Sequence, residues 1–170
     1  AELAELADFL QAPVATTLQG LSTFPSDHPL HVGFSFGPAA VPAARNAFAK
    51  CDALLAVGTR FGEIATGSFG VTVPAQLVHV DINPQVFNAN YPAQLTLEGD
   101  ARVVLKALLA ELKKAPARAA DTVLVNSIAS DKAAYRASWL AHDSKGRINP
   151  GRFFDALRAQ VSDDAITVVD

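Results

Sequence analysis

Four short stretches of the 170-residue chain place hydroxyl, guanidinium or carboxylate groups at the ends of apolar runs. Thr17 closes PVATT (13–17) and begins a strand end running to Gly20, and Gly58, Thr59 and Arg60 follow LLAV (54–57). Asp81, Ile82 and Asn83 follow LVHV (77–80), and Gly99 and Asp100 follow LTLE (95–98). If these runs are parallel strands, all four groups lie beyond carboxyl ends, where free amides and helix N-termini favour anions. Gly58 permits close backbone approach, Thr59 offers a hydroxyl, and Arg60 can fork onto a phosphate through charge-assisted bonds. Asp81 can accept from ribose hydroxyls or flank an adenine, as an acid at a strand end does in dinucleotide folds. Each has a structural alternative. Gly58 and Arg60 fit a tight turn with a surface ion pair, Asp81 fits a cap on the Ile82-Asn83-Pro84 turn, and Asp100 fits the N-cap of the next helix. The chain has neither a GxGxxG fingerprint nor a Walker loop, so both readings stand open here.

Other chemistries find less support. His28, His31, His79 and His142 have no metal-ligand spacing and no cysteine companions, and His79 lies inside an apolar run, which favours a core histidine bonded to backbone. No serine sits in a nucleophile-elbow context. Cys51 has only Lys50 as a basic neighbour to lower its pKa and is read as a packing residue. Without a general base and its partner, no catalytic constellation is complete. The sequence points to binding rather than reaction.

The elements that must position these residues alternate in type. Leu3, Leu6 and Leu10 mark an opening helix, PVATT a buried strand, and 19–29 a loop rich in Gly, Ser, Pro and Asp. A second helix is expected over 39–50, strands over 54–57, 77–80 and 95–98, and a helix after Asp100 with Val104, Leu105, Leu108, Leu109 and Leu112 on one face. Residues 114–121 read as a linker. Residues 122–141 read as a polar helix with Tyr135 and Trp139 on one side, and a last helix opens at Asn149 with Pro150 in its first turn. Residues 165–169 (AITVV) read as a final strand. Continuous apolar strands separated by helices predict a three-layer α/β/α fold with a mainly parallel sheet.

Composition narrows the class. The chain is 50% apolar and 18% charged with a net charge of −3. It offers no basic field for a phosphate backbone, and no run reaches the roughly 20 apolar residues of a membrane helix. No nucleic-acid or membrane partner is expected. A single cysteine fits a reducing compartment, and a cytoplasmic location is expected. Both ends read as internal to a longer polypeptide: the first helix opens with no capping residue ahead of it, and the last strand stops on Asp170.

Taken together, Pro13 to Gly33, Cys51 to Gly67 (CDALLAVGTRFGEIATG), Ala75 to Leu109 and the closing INPGRFFDALRAQVSDDAITVVD resemble the central domain of thiamine-diphosphate-dependent enzymes, most closely the acetolactate synthase large subunit and its relatives. The resemblance implies a parent of three domains acting on 2-oxo acids by decarboxylation and carboligation, with thiamine diphosphate and Mg²⁺ bound outside these residues. The protein would supply position and electrostatics to the cofactor's chemistry. It implies a Rossmann-like domain of the NAD/FAD-binding type with an FAD or other nucleotide site, carried by Thr17, Leu18, Gly58, Arg60, Asp81, Ile82, Gly99 and Asp100, and no catalytic or metal-binding residue. Members that bind FAD usually carry an aspartate pair where this chain has Gly62 and Glu63, and a Met-His-Gly stretch near Ser35 to Pro38, which here is SFGP.

On this reading residues 1–113 form the nucleotide-binding-like domain without its first strand, 114–147 a linker and helix, and 148–170 a helix and strand leading into a diphosphate-binding domain. The missing strand would be internal to the sheet, so backbone groups and an apolar slot are expected to stand unfilled, with residues 165–169 as a substitute within one chain or between two. The other domains of the parent and further copies in a homo-oligomer are the expected partners. A free-standing nucleotide-binding or regulatory module and a sirtuin-like NAD-binding protein are the alternatives. The sirtuin-like reading would need a Gly-Ala-Gly loop, a catalytic histidine and usually zinc-binding cysteines.

Overall fold

The structure, a computed structural model, describes residues 1–34, 37 and 40–166. Its elements in chain order are α1 (Glu2–Leu10), β1 (Val14–Thr16), β2 (His31–Phe34), α2 (Pro42–Ala49), β3 (Ala53–Val57), β4 (Gln76–Asp81), β5 (Leu95–Glu98), α3 (Ala101–Leu112), α4 (Thr122–Ala141) and α5 (Pro150–Gln160). Parallel strands flanked by helices confirm the α/β class. The SFGP stretch, apart from its Gly37, and 167–169 of the terminal β-branched run lie outside the described residues; Ala165 and Ile166 precede them without regular structure.

Sequence punctuation sets most of these boundaries. Asp100 accepts from the Val103 N–H at 3.1 Å, Asp121 from Leu124 at 2.9 Å and Asn149 from Arg152 at 3.1 Å, so α3, α4 and α5 each start on a side-chain cap. The second helix begins at Pro42 rather than at 39, because the proline ring presets φ and needs no N–H in the first turn. β2 was not expected from the sequence. Its four residues contain a glycine and follow a polar loop, so neither alternation nor a long apolar run announces it.

The strands form two parallel ladders, β1-β2 and β3-β4-β5. Val57 pairs with Val80 and Asp81 with Glu98, so the carboxyl ends of the three-stranded ladder finish at nearly one level. Leu77 and Val80 of the central strand are fully buried. α1 packs Ala7, with Leu3 and Ala4, against β1, and Leu6, with Leu10, toward Leu55 and Val57 of β3 and toward α3. One helix thus covers both ladders.

On the β2 side, Phe24 and Leu30 anchor the 17–30 loop in the core beside Ala43, Ala44 and Ile128. Lys132 of α4 pins the loop from outside, donating to the carbonyls of Ser26 at 3.1 Å and His31 at 3.4 Å. His28 accepts from the Leu30 N–H through Nδ1, which turns Nε2 toward Asp8 of α1 at 3.4 Å. α4 buries Ile128, whereas α5 buries none of its residues.

Gly33 has φ +100°, and a Cβ built there would meet Val41 Cγ2 at 2.6 Å. Gly33→Ala is expected to lower unfolding stability by about 2–3 kcal/mol, read as a fall in the urea midpoint at unchanged m.

His31 supplies a pH dependence. Its Nδ1 lies 3.2 Å from the Ser26 carbonyl and donates to it, while Nε2 is buried without a partner. Burial first, then the Lys132 charge and His28, push the imidazole below its ordinary 6.5 despite the raising effect of the Ser26 bond. The unfolded chain therefore binds the proton more tightly than the folded one. This stability contribution is complete above the ordinary value and is lost as pH falls through the lowered folded value. Stability measured by urea titration is expected to drop on acidification across that window, and His31→Gln is expected to flatten the slope.

Candidate functional site at the strand ends

The three-stranded ladder holds three of the four predicted groups together. The Gly58 N–H donates to the Val80 carbonyl at 2.9 Å, and the Gly99 N–H to the Asp81 carbonyl at 3.0 Å. The turns after β3, β4 and β5 are thus tied at one level, with the α3 N-terminus opening beside them. Thr17 and Leu18 follow β1 in the other ladder.

Each group can be placed by its contacts. Gly58 has φ +63° with open space where a Cβ would stand, so its backbone is accessible. Arg60 is exposed and makes no ion pair among the described residues. Asp81 is 9% exposed and accepts from the Asn83 N–H at 2.8 Å, so it does cap its turn through one oxygen. Asp100 likewise spends one oxygen on its helix cap. Thr17 Oγ1 accepts from the Gly20 N–H at 3.1 Å, leaving the hydroxyl proton to donate. Leu18 and Ile82 hold apolar side chains in solvent, 51% and 70% exposed.

Several supports were not legible in the sequence. Phe61 sits at φ +50° although it is bulky and 3% exposed, a strained backbone for a non-glycine residue. Asn90, thirty residues downstream of Arg60, donates to the carbonyls of both Arg60 and Phe61 at 3.2 Å, clamping the turn. His79 Nε2 donates to the Thr59 carbonyl at 2.9 Å from within the core, with the Phe61 and Phe87 rings 5.3 and 5.1 Å away. That matches the expected core histidine. Its Nδ1 has no partner, and the Thr16 hydroxyl at the end of β1 is likewise buried and unmet. No spacing rule connects residues 59, 79 and 90; only a polar residue near an apolar run hinted at any of them.

The arrangement offers little for bond making. Cys51 donates to the Ala53 carbonyl at 3.0 Å, and burial followed by the Asp52 charge pushes its thiol up, away from thiolate reactivity. Among the described residues no three metal-ligating groups cluster, and no helix is long and apolar enough to cross a membrane. Surface concavities lie by α4 and α5, around Arg136 and Asp155 and around His142 and Arg152. Among the described residues the strand ends form an open ledge of amides beside an Arg60 that makes no ion pair.

Comparison with known proteins gives this ledge a context. Residues 1–108 match the family described as "Thiamine pyrophosphate enzyme, central domain". The probable acetolactate synthase large subunit of Methanocaldococcus jannaschii is 43% identical over 112 residues, 65% of this chain and 19% of that protein. The acetolactate synthase large subunit of Cyanidium caldarium is 39% identical over 114 residues, 66% of this chain and 19% of that protein. A probable 2-ketoarginine decarboxylase of Pseudomonas aeruginosa is 37% identical over 110 residues, 65% of this chain and 19% of that protein. The matched part of the chain thus spans about a fifth of the length of these relatives. The family match contains every strand of both ladders and all four strand-end groups, and it ends within α3. The chain belongs to the thiamine pyrophosphate enzymes, through their central domain.

Proposed function

We propose that this chain is the central, non-catalytic domain of an acetolactate synthase-like enzyme acting on 2-oxo acids, and that its strand-end ledge holds FAD. The observation that carries the nucleotide reading is the unpaired Arg60 beside an open, positive-φ Gly58, on a turn clamped by Asn90 and level with the α3 N-terminus. The residues fit the group. Arg60, the Gly58 amide and the amides opening α3 at Gly99 and Asp100 suit a diphosphate. Asp81, whose second oxygen is not used by its cap, suits ribose hydroxyls, and the exposed Ile82 and Leu18 side chains suit the faces of flat rings. Thr17 retains a hydroxyl donor.

FAD held here is a structural ligand and supplies no turnover to the main reaction. Thiamine diphosphate with Mg²⁺ is bound by other domains of the parent, so the protein contributes position and electrostatics from this part. The locked His79, the raised Cys51 thiol and the lack of an acid–base pair support a chain that is catalytically silent by itself. The family assignment favours neither the stand-alone module nor the sirtuin-like alternative. Residues 1–113 as the nucleotide domain, 114–147 as linker and helix, 148–170 as the approach to a diphosphate-binding domain, a homo-oligomeric parent and a cytoplasmic location complete the proposal.

Titration of the purified chain with FAD is expected to quench flavin fluorescence saturably, and absence of quenching would remove the proposed ligand. Arg60→Ala is expected to weaken binding by about 1.5–3 kcal/mol, roughly 10- to 150-fold in Kd.

The two sides of the ledge separate in stability. Arg60→Ala removes an exposed, unpaired side chain and is expected to leave the urea midpoint within about 0.5 kcal/mol of the parent. Asp100→Ala removes a helix cap and is expected to cost about 1 kcal/mol.

A further inference from the structure

α5 packs on α4 with its less apolar side. A Cβ built on Gly151 would meet Leu140 Cδ2 at 3.3 Å and Trp139 Cβ at 3.7 Å, and Asp155, one turn on, accepts from Arg136 Nη2 at 2.6 Å. Arg158 lines one concavity with that Arg136 and Asp155. Residues three or four apart share a face of a helix, so Gly151, Asp155 and Arg158 mark the side turned to α4. With about 3.6 residues per turn, Phe153, Phe154, Leu157 and Val161 fall on the opposite side. Phe153 is 47% and Phe154 55% exposed, their rings 5.3 Å apart and edge to face, and α5 buries none of its residues. A surface helix ordinarily turns its apolar stripe inward and its charges to water. α5 does the reverse.

Two observations say what covers this face. The match to the thiamine pyrophosphate central domain ends at 108, before α4 begins, and the matched part is 19% of the length of the relatives. α5 thus stands outside the central domain, in a family whose polypeptides lie mostly beyond it. The charge near α5 is also one-sided. Arg136 and Arg158 are held by Asp155 and Asp163, whereas Arg147 and Arg152, exposed in the concavity where α5 starts, make no ion pair among the described residues. Asp143 in the same concavity accepts from the Lys145 N–H at 2.9 Å.

We infer that the outer face of α5 docks on another domain of the same polypeptide, whose surface is apolar opposite Phe153, Phe154 and Leu157 and carries carboxylates opposite Arg147 and Arg152. The inference rests on the reading of this chain as the central domain of a longer enzyme, and adds to it the surface on which the rest of that enzyme sits. Docking withdraws two phenyl rings from water and gives two guanidinium groups their partners.

Photocrosslinking in the full-length parent, with p-benzoylphenylalanine in place of Phe154, tests it. Irradiation is expected to join that position to residues of the same polypeptide outside these 170, at the mass of one chain. A crosslink between two chains, which would make a second copy the occupant, a crosslink back onto these 170 residues, or no crosslink would overturn the inference. Phe154→Asp is expected to leave the urea midpoint of the 170-residue chain unchanged and to lower that of the parent; an unchanged parent would also overturn it. Decarboxylation of 2-oxo acids by the unsubstituted parent reports on the functional reading separately. An active parent without the internal crosslink refutes the docking alone, and an inactive parent with it refutes the functional reading alone.

Discussion

The demand of buried peptide groups for partners governs this molecule more than any single side-chain contact. In the three-stranded ladder the demand is met, and the register that meets it brings Gly58, Asp81 and Gly99 to one level through two backbone bonds. The ledge is thus a by-product of strand pairing, with the parallel direction deciding which residues gather. α1 packs on both ladders and holds them side by side.

Local chemistry announced the helices and left the long-range geometry silent. Asp100, Asp121 and Asn149 each proved to be a side-chain cap, and α3, α4 and α5 begin where the sequence placed them. The β3 and β4 runs were equally plain because continuous apolar composition suits a strand covered on both faces. β2 escaped because its pairing with β1 is tertiary: a four-residue run with a glycine gains strand character only beside a partner. The ledge was half legible. Residue types at the strand ends marked Gly58, Arg60, Asp81 and Asp100, but the positive φ of Phe61 and the Asn90 clamp that aim Arg60 join residues about thirty apart in the chain. The family resemblance read from the sequence agrees with the family that residues 1–108 match.

On the proposed reading the site holds a ligand rather than reacting with it. His79 is the best-placed titratable ring near the ledge, yet Nε2 is committed to the Thr59 carbonyl and the ring is wedged between two phenyl edges in a 1% exposed position. The carboxylates of Asp81 and Asp100 each hold a backbone N–H. What remains free is a guanidinium, a set of amides and two exposed aliphatic side chains, a set suited to a diphosphate joined to flat rings.

Amide chemical-shift mapping of the isotopically labelled chain with FAD tests the central claim most directly. The account predicts saturable shifts confined to Thr17 and Leu18, Gly58 to Arg60, Asp81 and Ile82, and the first turn of α3. Shifts centred on α4 and α5, or none at all, would contradict it.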